Sequence, residues 1–103
     1  MIKNQFISEA VLKAREGKRA ALKEALLKLI NPTRSEPGCL YYILFEDKNN
    51  EGTFYMREAF RDKAAFEFHT ETFHFKNFAA QMDSLLEEPI QLIELAQVSD
   101  PEM

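Results

Sequence analysis

A glutamate and a histidine are the two side chains of this sequence that are best placed to move a proton. Glu58 is the acidic member of an apolar row, because Phe54, Met56 and Phe60 share its face of a predicted strand. His69 lies on the apolar face of the helix predicted to follow. A carboxylate beside an imidazole fixes the tautomer of the ring and raises its basicity. The two residues therefore predict an acid–base pair between sheet and helix.

The same residue types also occur in protein cores for purely structural reasons. A histidine on an apolar helix face is often a core residue with satisfied ring nitrogens, and an inward glutamate can bridge backbone groups. His74 follows His69 by five positions, an offset that turns it well away on a continuous helix. No third histidine, HExxH motif or cysteine cluster accompanies the pair, so the sequence predicts no metal site. Cys39 is interpreted as a small buried hydrophobe.

Composition narrows the class of protein. At 103 residues the chain is expected to form one domain, residues 1–103, small enough to benefit from a partner subunit. Its net charge is −4 and its basic residues are dispersed, which argues against nucleic-acid and membrane partners. There is one cysteine, and the N-terminus lacks a basic region followed by a long apolar run. We therefore expect a reduced, soluble, cytoplasmic protein.

Hydrophobic spacing defines the elements that must position these residues. Alternating or continuous apolar runs predict strands over Gln5–Leu12, Cys39–Glu46, Thr53–Phe60 and Ile90–Val98. Helical spacing predicts helices over Lys18–Ile30, over a segment N-capped by Asp62, and over Phe73–Leu86. Pro32 disfavours a helical conformation at Asn31, so the first helix is expected to stop or kink there. The order is that of the ferredoxin-like βαββαβ fold, an α+β class with an antiparallel sheet.

The second predicted strand is apolar on both faces. One face carries Cys39, Tyr41, Ile43 and Phe45, and the other carries Leu40, Tyr42 and Leu44. A sheet covered by helices on one face only would normally alternate apolar with polar residues. We therefore predict a homodimer in which a second copy covers the open face.

Several segments taken together resemble the antibiotic biosynthesis monooxygenase family. They are PTRSEPGCLYY, FYMREAF followed by RDKAAFEFH, TETFHFKNF and LLEEP, in the family's order along nearly the whole chain. The resemblance implies small ferredoxin-like subunits that pair into a dimeric α/β barrel, quinol monooxygenases among them. Phe60 stands where many relatives have Trp, and this chain contains no Trp, which separates it from the haem-degrading members.

The resemblance also implies an activity. Family members oxidise an electron-rich aromatic, such as a quinol or a polyketide phenol, with dioxygen and without a cofactor. His69 matches the family's helix histidine and is expected to act as base or orienter, and Glu58 matches the strand glutamate. The residues expected to contact the substrate are Phe60, Phe66, Tyr41, Phe73 and His74.

Two other functions fit the same residues. The run from FYMREAF to FEFHTETFHF is also similar to an isomerase of a phosphorylated open-chain autoinducer, a substrate that needs a cationic phosphate clamp. Arg34 and Arg57 are the candidates for that clamp. A dimeric binding module without turnover would instead have a filled cavity, with His69 packed and inert.

Overall fold

The elements of the fold follow the predicted order, as seen in the computed structural model, which describes residues 4–100. One antiparallel sheet, with strand order β2-β3-β1-β4, is formed by β1 (Phe6–Lys13), β2 (Cys39–Glu46), β3 (Thr53–Phe60) and β4 (Gln91–Leu95). The helices are α1 (Arg19–Arg34), α2 (Lys63–Thr70), α3 (Phe73–Ala79) and α4 (Met82–Leu85). This confirms the ferredoxin-like α+β fold, whose sheet stays open within one chain. Residues 1–3 and 101–103 of the predicted domain lie outside the described residues.

The core lies between the sheet and the helices on one of its faces. Leu22, Leu26 and Leu29 of α1 are buried against β1 and β3, as their helical spacing predicts. Asp62 is confirmed as the N-cap of α2, because its Oδ1 accepts a hydrogen bond from the Ala65 N–H at 2.8 Å. Within residues 4–100, no helix combines the length and apolar character needed to cross a bilayer.

The first helix runs further than predicted. It passes through Pro32 and ends at Arg34, although Pro32 removes one helical hydrogen bond. Tertiary contacts hold this last turn, since the Arg34 guanidinium donates to the Tyr42 carbonyl oxygen at 2.8 Å and 3.1 Å. The Ser35 N–H also donates to the carbonyl of Asn31, which closes the helix end.

Strand β2 contains a bulge that changes which side chains face the helices. Cys39 lies opposite Phe60 and Tyr41 lies opposite Ala59, so Leu40 is the extra residue. The prediction that Cys39 shares a face with Tyr41 is therefore wrong, since Cys39 packs against the core. The apolar side chains exposed on the open face and its flanking strands include Tyr41, Ile43, Phe45, Ile93 and Leu95.

Candidate active site

An apolar pocket of about 210 Å³ lies between the sheet and the helices. Residues of all four strands form its floor, and residues of α1, α2 and α3 form its walls. Its lining is apolar except for three side chains, those of Tyr42, Glu58 and His69. A small, mostly apolar cavity with a few convergent polar groups is the usual form of a small-molecule site.

His69 lines this pocket and is held in place by a buried carboxylate. The residue is only 1% exposed, and its Nδ1 lies 2.8 Å from Oε2 of Glu36 in the loop between α1 and β2. Because a carboxylate only accepts hydrogen bonds, Nδ1 carries the proton and donates it, which leaves Nε2 as the basic nitrogen. Burial lowers the pKa of His69, against the opposing effect of Glu36, so the ring is neutral near neutral pH.

His74 joins the same carboxylate. Its Nε2 donates to Oε2 of Glu36 at 2.6 Å, and the rings of His69 and His74 have centroids 6.1 Å apart. The prediction that His74 turns away is wrong because the helix is interrupted after Thr70. Thr72 caps the next helix, where its Oγ1 accepts from the Phe75 N–H, and this break returns His74 towards His69.

The three residues Glu36, His69 and His74 are called here the His–Glu–His group. Each offers one possible metal ligand, and the three ligand atoms lie within 4.8 Å of one another. Their separations from Oε2, 2.8 Å and 2.6 Å, are hydrogen-bond lengths. Donors bound to one ion at about 2.1 Å would lie about 3 Å apart or more. As arranged, the group is therefore a hydrogen-bonded unit.

Glu58 lies in the pocket but is not hydrogen-bonded to His69, so the predicted pairing of these two residues is wrong. In the sheet register Glu58 sits between Tyr42 on β2 and Ser8 on β1, which makes a polar row on the covered face. Burial first, and then the negative charge of Glu36, raises the pKa of Glu58 to about 8. Glu58 is therefore protonated at neutral pH and can donate a hydrogen bond.

The phenylalanines that were predicted to contact the substrate do not all lie in the pocket. Phe66 lines the pocket, whereas Phe60 is fully buried behind His69, with ring centroids 5.0 Å apart. Phe73 is 85% exposed on the rim of a separate groove, so its predicted place in the pocket is wrong. Phe75 takes that place, with its ring centroid 5.0 Å from that of His69.

Tyr41 is also outside the pocket, since the bulge at Leu40 places it on the open face of the sheet. Tyr42 lines the pocket instead, and its ring lies edge-on to His69 with centroids 5.6 Å apart. Burial raises the pKa of Tyr42, and the charge of Glu58 adds to this effect, so its hydroxyl is a donor. Burial likewise raises the pKa of Cys39 to about 11, which leaves it a thiol at neutral pH.

Sequence reasoning missed Glu36, Tyr42 and Phe75. Glu36 belongs to a turn, SEPG, and nothing in its spacing connects it with a histidine 33 positions later. Thr72 did carry a signal, because Thr is a favoured N-cap residue and predicts a new helix start three residues after His69.

Fold and site together define a ferredoxin-like α+β protein that holds a neutral imidazole in an apolar pocket. The sequence model of the family described as "Antibiotic biosynthesis monooxygenase" matches residues 5–81. The chain belongs to this family.

Named relatives agree with that assignment. "Putative monooxygenase YcnE" of Bacillus subtilis is 36% identical over 88 residues, which are 85% of this chain and 93% of the relative. The crystal structure of PA3566 from Pseudomonas aeruginosa has a TM-score of 0.90 and 33% identity, covering 96% of this chain and 99% of that chain. The structure of Rv0793 from Mycobacterium tuberculosis has a TM-score of 0.89 and 31% identity, covering 95% and 99%. These similarities support a monooxygenase-like role in general, and the names state no substrate.

Proposed function

We propose that this protein is a cofactor-independent monooxygenase that oxidises a small electron-rich phenol or quinol with dioxygen. The observation that carries the proposal is the neutral His69 imidazole, oriented through Nδ1 by Glu36, on the wall of an apolar pocket. The pocket volume of about 210 Å³ is below the roughly 300–1,000 Å³ typical of drug-sized ligands. This size favours a substrate of one ring or two fused rings.

The first step is removal of the substrate hydroxyl proton. The O–H bond breaks, the proton passes to Nε2 of His69, and the resulting imidazolium is stabilised by the Glu36 carboxylate. The apolar lining excludes water, which strengthens the interaction of the new phenolate with nearby donors. The Tyr42 hydroxyl and the protonated Glu58 are the donors in the pocket for the phenolate oxygen.

Oxidation then uses the substrate's own electrons. The phenolate gives one electron to dioxygen, and the phenoxyl radical and superoxide combine to form a carbon–oxygen bond. Loss of the ring proton breaks the oxygen–oxygen bond and leaves a quinone. The second oxygen atom leaves as water, which takes one proton from the ring carbon and one from His69. The substrate thus supplies four electrons, and both oxygen atoms are accounted for.

The isomerase alternative lacks its phosphate clamp in the described part of the chain. Arg34 donates to the Tyr42 carbonyl, and Arg57 pairs with Glu9 at 2.8 Å on the open face of the sheet. No Lys or Arg lines the pocket among residues 4–100. The binding-module alternative expects a filled cavity, whereas this pocket is open.

A second copy of the chain is proposed as the cover of the open face. Exposed apolar side chains there include Ile43 and Phe45, and their burial would favour association. The charges at the centre of this face are already paired, since Arg57 donates two hydrogen bonds to Glu9. Such a pair can be covered without leaving an unpaired buried charge.

Oxygen consumption tests the proposed activity. A panel of one-ring and two-ring phenols and quinols is incubated with the protein under ¹⁸O₂, and oxygen uptake and product mass are followed. We expect uptake above the autoxidation rate and one ¹⁸O atom in the quinone product. His69→Gln should abolish both, whereas Phe68→Ala, on the exposed side of the same helix, should retain them. Uptake at the autoxidation rate for the whole panel contradicts the proposal.

A further inference from the structure

The His–Glu–His group connects two separate openings of the molecule. His69 lines the apolar pocket, whereas His74 lies on the wall of a groove of about 390 Å³ between α1 and α3. The side chain of His74 is 23% exposed, compared with 2% for His69 and 4% for Glu36. The same oxygen, Oε2 of Glu36, accepts from both rings. One end of the group is therefore dry and the other end reaches solvent.

Charge balance decides how such a group can take up a proton. A buried carboxylate is stable only with a positive or hydrogen-bonded partner. Oε2 of Glu36 accepts a hydrogen bond from both rings, and of these the ring of His74 is the one that reaches solvent and can exchange its proton with water. Two imidazolium rings in this group would lie 6.1 Å apart, and the like charges would repel each other.

We propose that His74 releases a proton into the groove when His69 accepts the substrate's proton, so that the buried group keeps the same net charge. Before the step the charges are zero on His69, minus one on Glu36 and plus one on His74. Afterwards they are plus one, minus one and zero, and one proton has passed to water in the groove. His74 is thus a positioning residue that lets His69 act as a base. The identity of the substrate in this inference rests on the proposed function.

Other titratable groups face this unit from the neighbouring elements. The charge of Glu36 acts on Glu58 of β3 and on Cys39 and Tyr42 of β2, and the charge of Arg34 of α1 acts on Cys39. On the groove side, Glu24 and Lys28 of α1 line the same surface as His74. Burial raises the pKa of Glu58, Cys39 and Tyr42, so all three are protonated at neutral pH before His69 becomes charged.

The ligand-free protein gives the first test, because the chain has only two histidines. Nuclear magnetic resonance of ¹⁵N-histidine-labelled protein should find His74 cationic and His69 neutral, with its proton on Nδ1, near pH 7. His74→Gln keeps an N–H donor for Glu36 but removes the charge, so His69 should gain its proton at higher pH in this variant. Circular dichroism checks that the variant is folded. A neutral His74 in the wild type, or an unchanged His69 titration in the variant, overturns the inference.

Proton release on binding 4-nitrophenol gives the second test. The phenolate absorbance near 400 nm reports ionisation of the bound probe, and calorimetry in buffers of different ionisation enthalpy counts the protons released. At about pH 6, where free 4-nitrophenol is largely protonated, we expect about one proton per bound phenolate for the wild type and about none for His74→Gln, where His69 keeps the proton. Equal release from both proteins overturns the inference.

Three further outcomes distinguish this inference from the proposed oxidation and from metal binding. If the proton counts differ as expected but oxygen uptake is absent, the proposed monooxygenase activity fails and the coupled proton release stands. If EDTA shifts both histidine resonances and Zn²⁺ restores them, the group is a metal site and the inference is wrong. If the probe binds without ionising, His69 does not act as its base. The ligand-free titration of the two histidines then shows whether protonation of His69 is coupled to proton release from His74.

Discussion

Two ionisable residues that are neighbours in the chain, Arg57 and Glu58, have opposite surroundings on the two faces of the sheet. Arg57 points to the open face, where it is exposed, paired with Glu9 and 5.5 Å from the Phe45 ring centroid. Glu58, the next residue, points to the covered face, where Oε1 has no partner and the pKa is raised to about 8. Burial behind helices therefore determines which polar groups are left available for chemistry.

Two other buried oxygen atoms also lack hydrogen-bond partners among the described residues. They are Ser8 Oγ on the covered face and Glu36 Oε1 in the loop after α1. Each such atom lowers the stability of the folded state unless water or a ligand reaches it. The concentration of these atoms near the pocket is typical of a functional site, where stability is sacrificed for binding or catalysis.

The largest predicted effect is the loss of activity on substitution of His69, on the covered side of the sheet. His69→Gln removes the basic nitrogen while keeping a polar side chain, so kcat/KM for the phenol or quinol should fall about 10²–10⁴-fold. Steady-state oxygen uptake measures the change. A decrease below tenfold would show that His69 is not the base, and the open face would then need to be searched for the site.

Glu58→Gln should change the pH dependence of stability. The folded protein keeps the Glu58 proton up to about pH 8, whereas the unfolded chain releases it near its ordinary value of about 4.3. The folded state therefore binds more protons between these values, and the free energy of unfolding falls as pH rises through this window. Above pH 8 the variant should be more stable than the wild type by roughly 3–5 kcal/mol, relative to their difference at pH 4.

Urea unfolding between pH 4 and pH 9 checks this prediction. Parallel curves for wild type and Glu58→Gln across the range would mean that Glu58 is ionised in the folded state. Arg57→Gln on the open face is the matched comparison, and its stability difference from the wild type should vary little over the same pH range because the site is exposed.

Gly38→Ala tests the packing that places His69. A Cβ at position 38 would collide with Cβ of Ala65 on α2, the helix that carries His69. We expect a loss of about 1–3 kcal/mol in the free energy of unfolding, because α2 must move away from β2. The His69 resonances should shift as well. Unchanged stability together with unchanged His69 resonances would contradict this view of α2.

The smallest change in subunit stability is expected on the open face. Ile43→Lys places a charge on an exposed apolar surface, so unfolding of the isolated subunit should change by about 0.5 kcal/mol or less. Light scattering after gel filtration should find a dimer for the wild type and a monomer for the variant. A monomeric wild type would show that the open face needs no second copy.

Local pattern was enough to predict most of the fold. The bounds of β2 and β3 agree with the prediction, because β2 is a short continuous apolar run, β3 shows partial alternation, and turn residues flank both. The predicted helix Phe73–Leu86 is divided into α3 and α4, and the last strand ends at Leu95 rather than at Val98. The ends of these helices and of this strand depend on tertiary contacts, which hydrophobic periodicity does not predict.

The site was less predictable than the fold. His69 and Glu58 are both buried in the pocket region, as the apolar faces of their elements required. Their pairing was wrong because the true partner of His69 comes from a turn whose position depends on how α1 packs against β2. Contacts between residues far apart in sequence are set by the assembled fold, and a single sequence carries little direct record of them.

The bulge in β2 gives this strand one position where its length can change without exchanging its two faces. Leu40 is the extra residue, so deleting it would leave Cys39 opposite Phe60 and Tyr41 opposite Ala59 in regular pairing, with the flanking side chains on the faces they now occupy. A deletion or insertion elsewhere in the strand would instead shift the register by one residue and turn the side chains beyond it to the opposite face. Differences in length among relatives are therefore expected at the bulge rather than within the rest of β2.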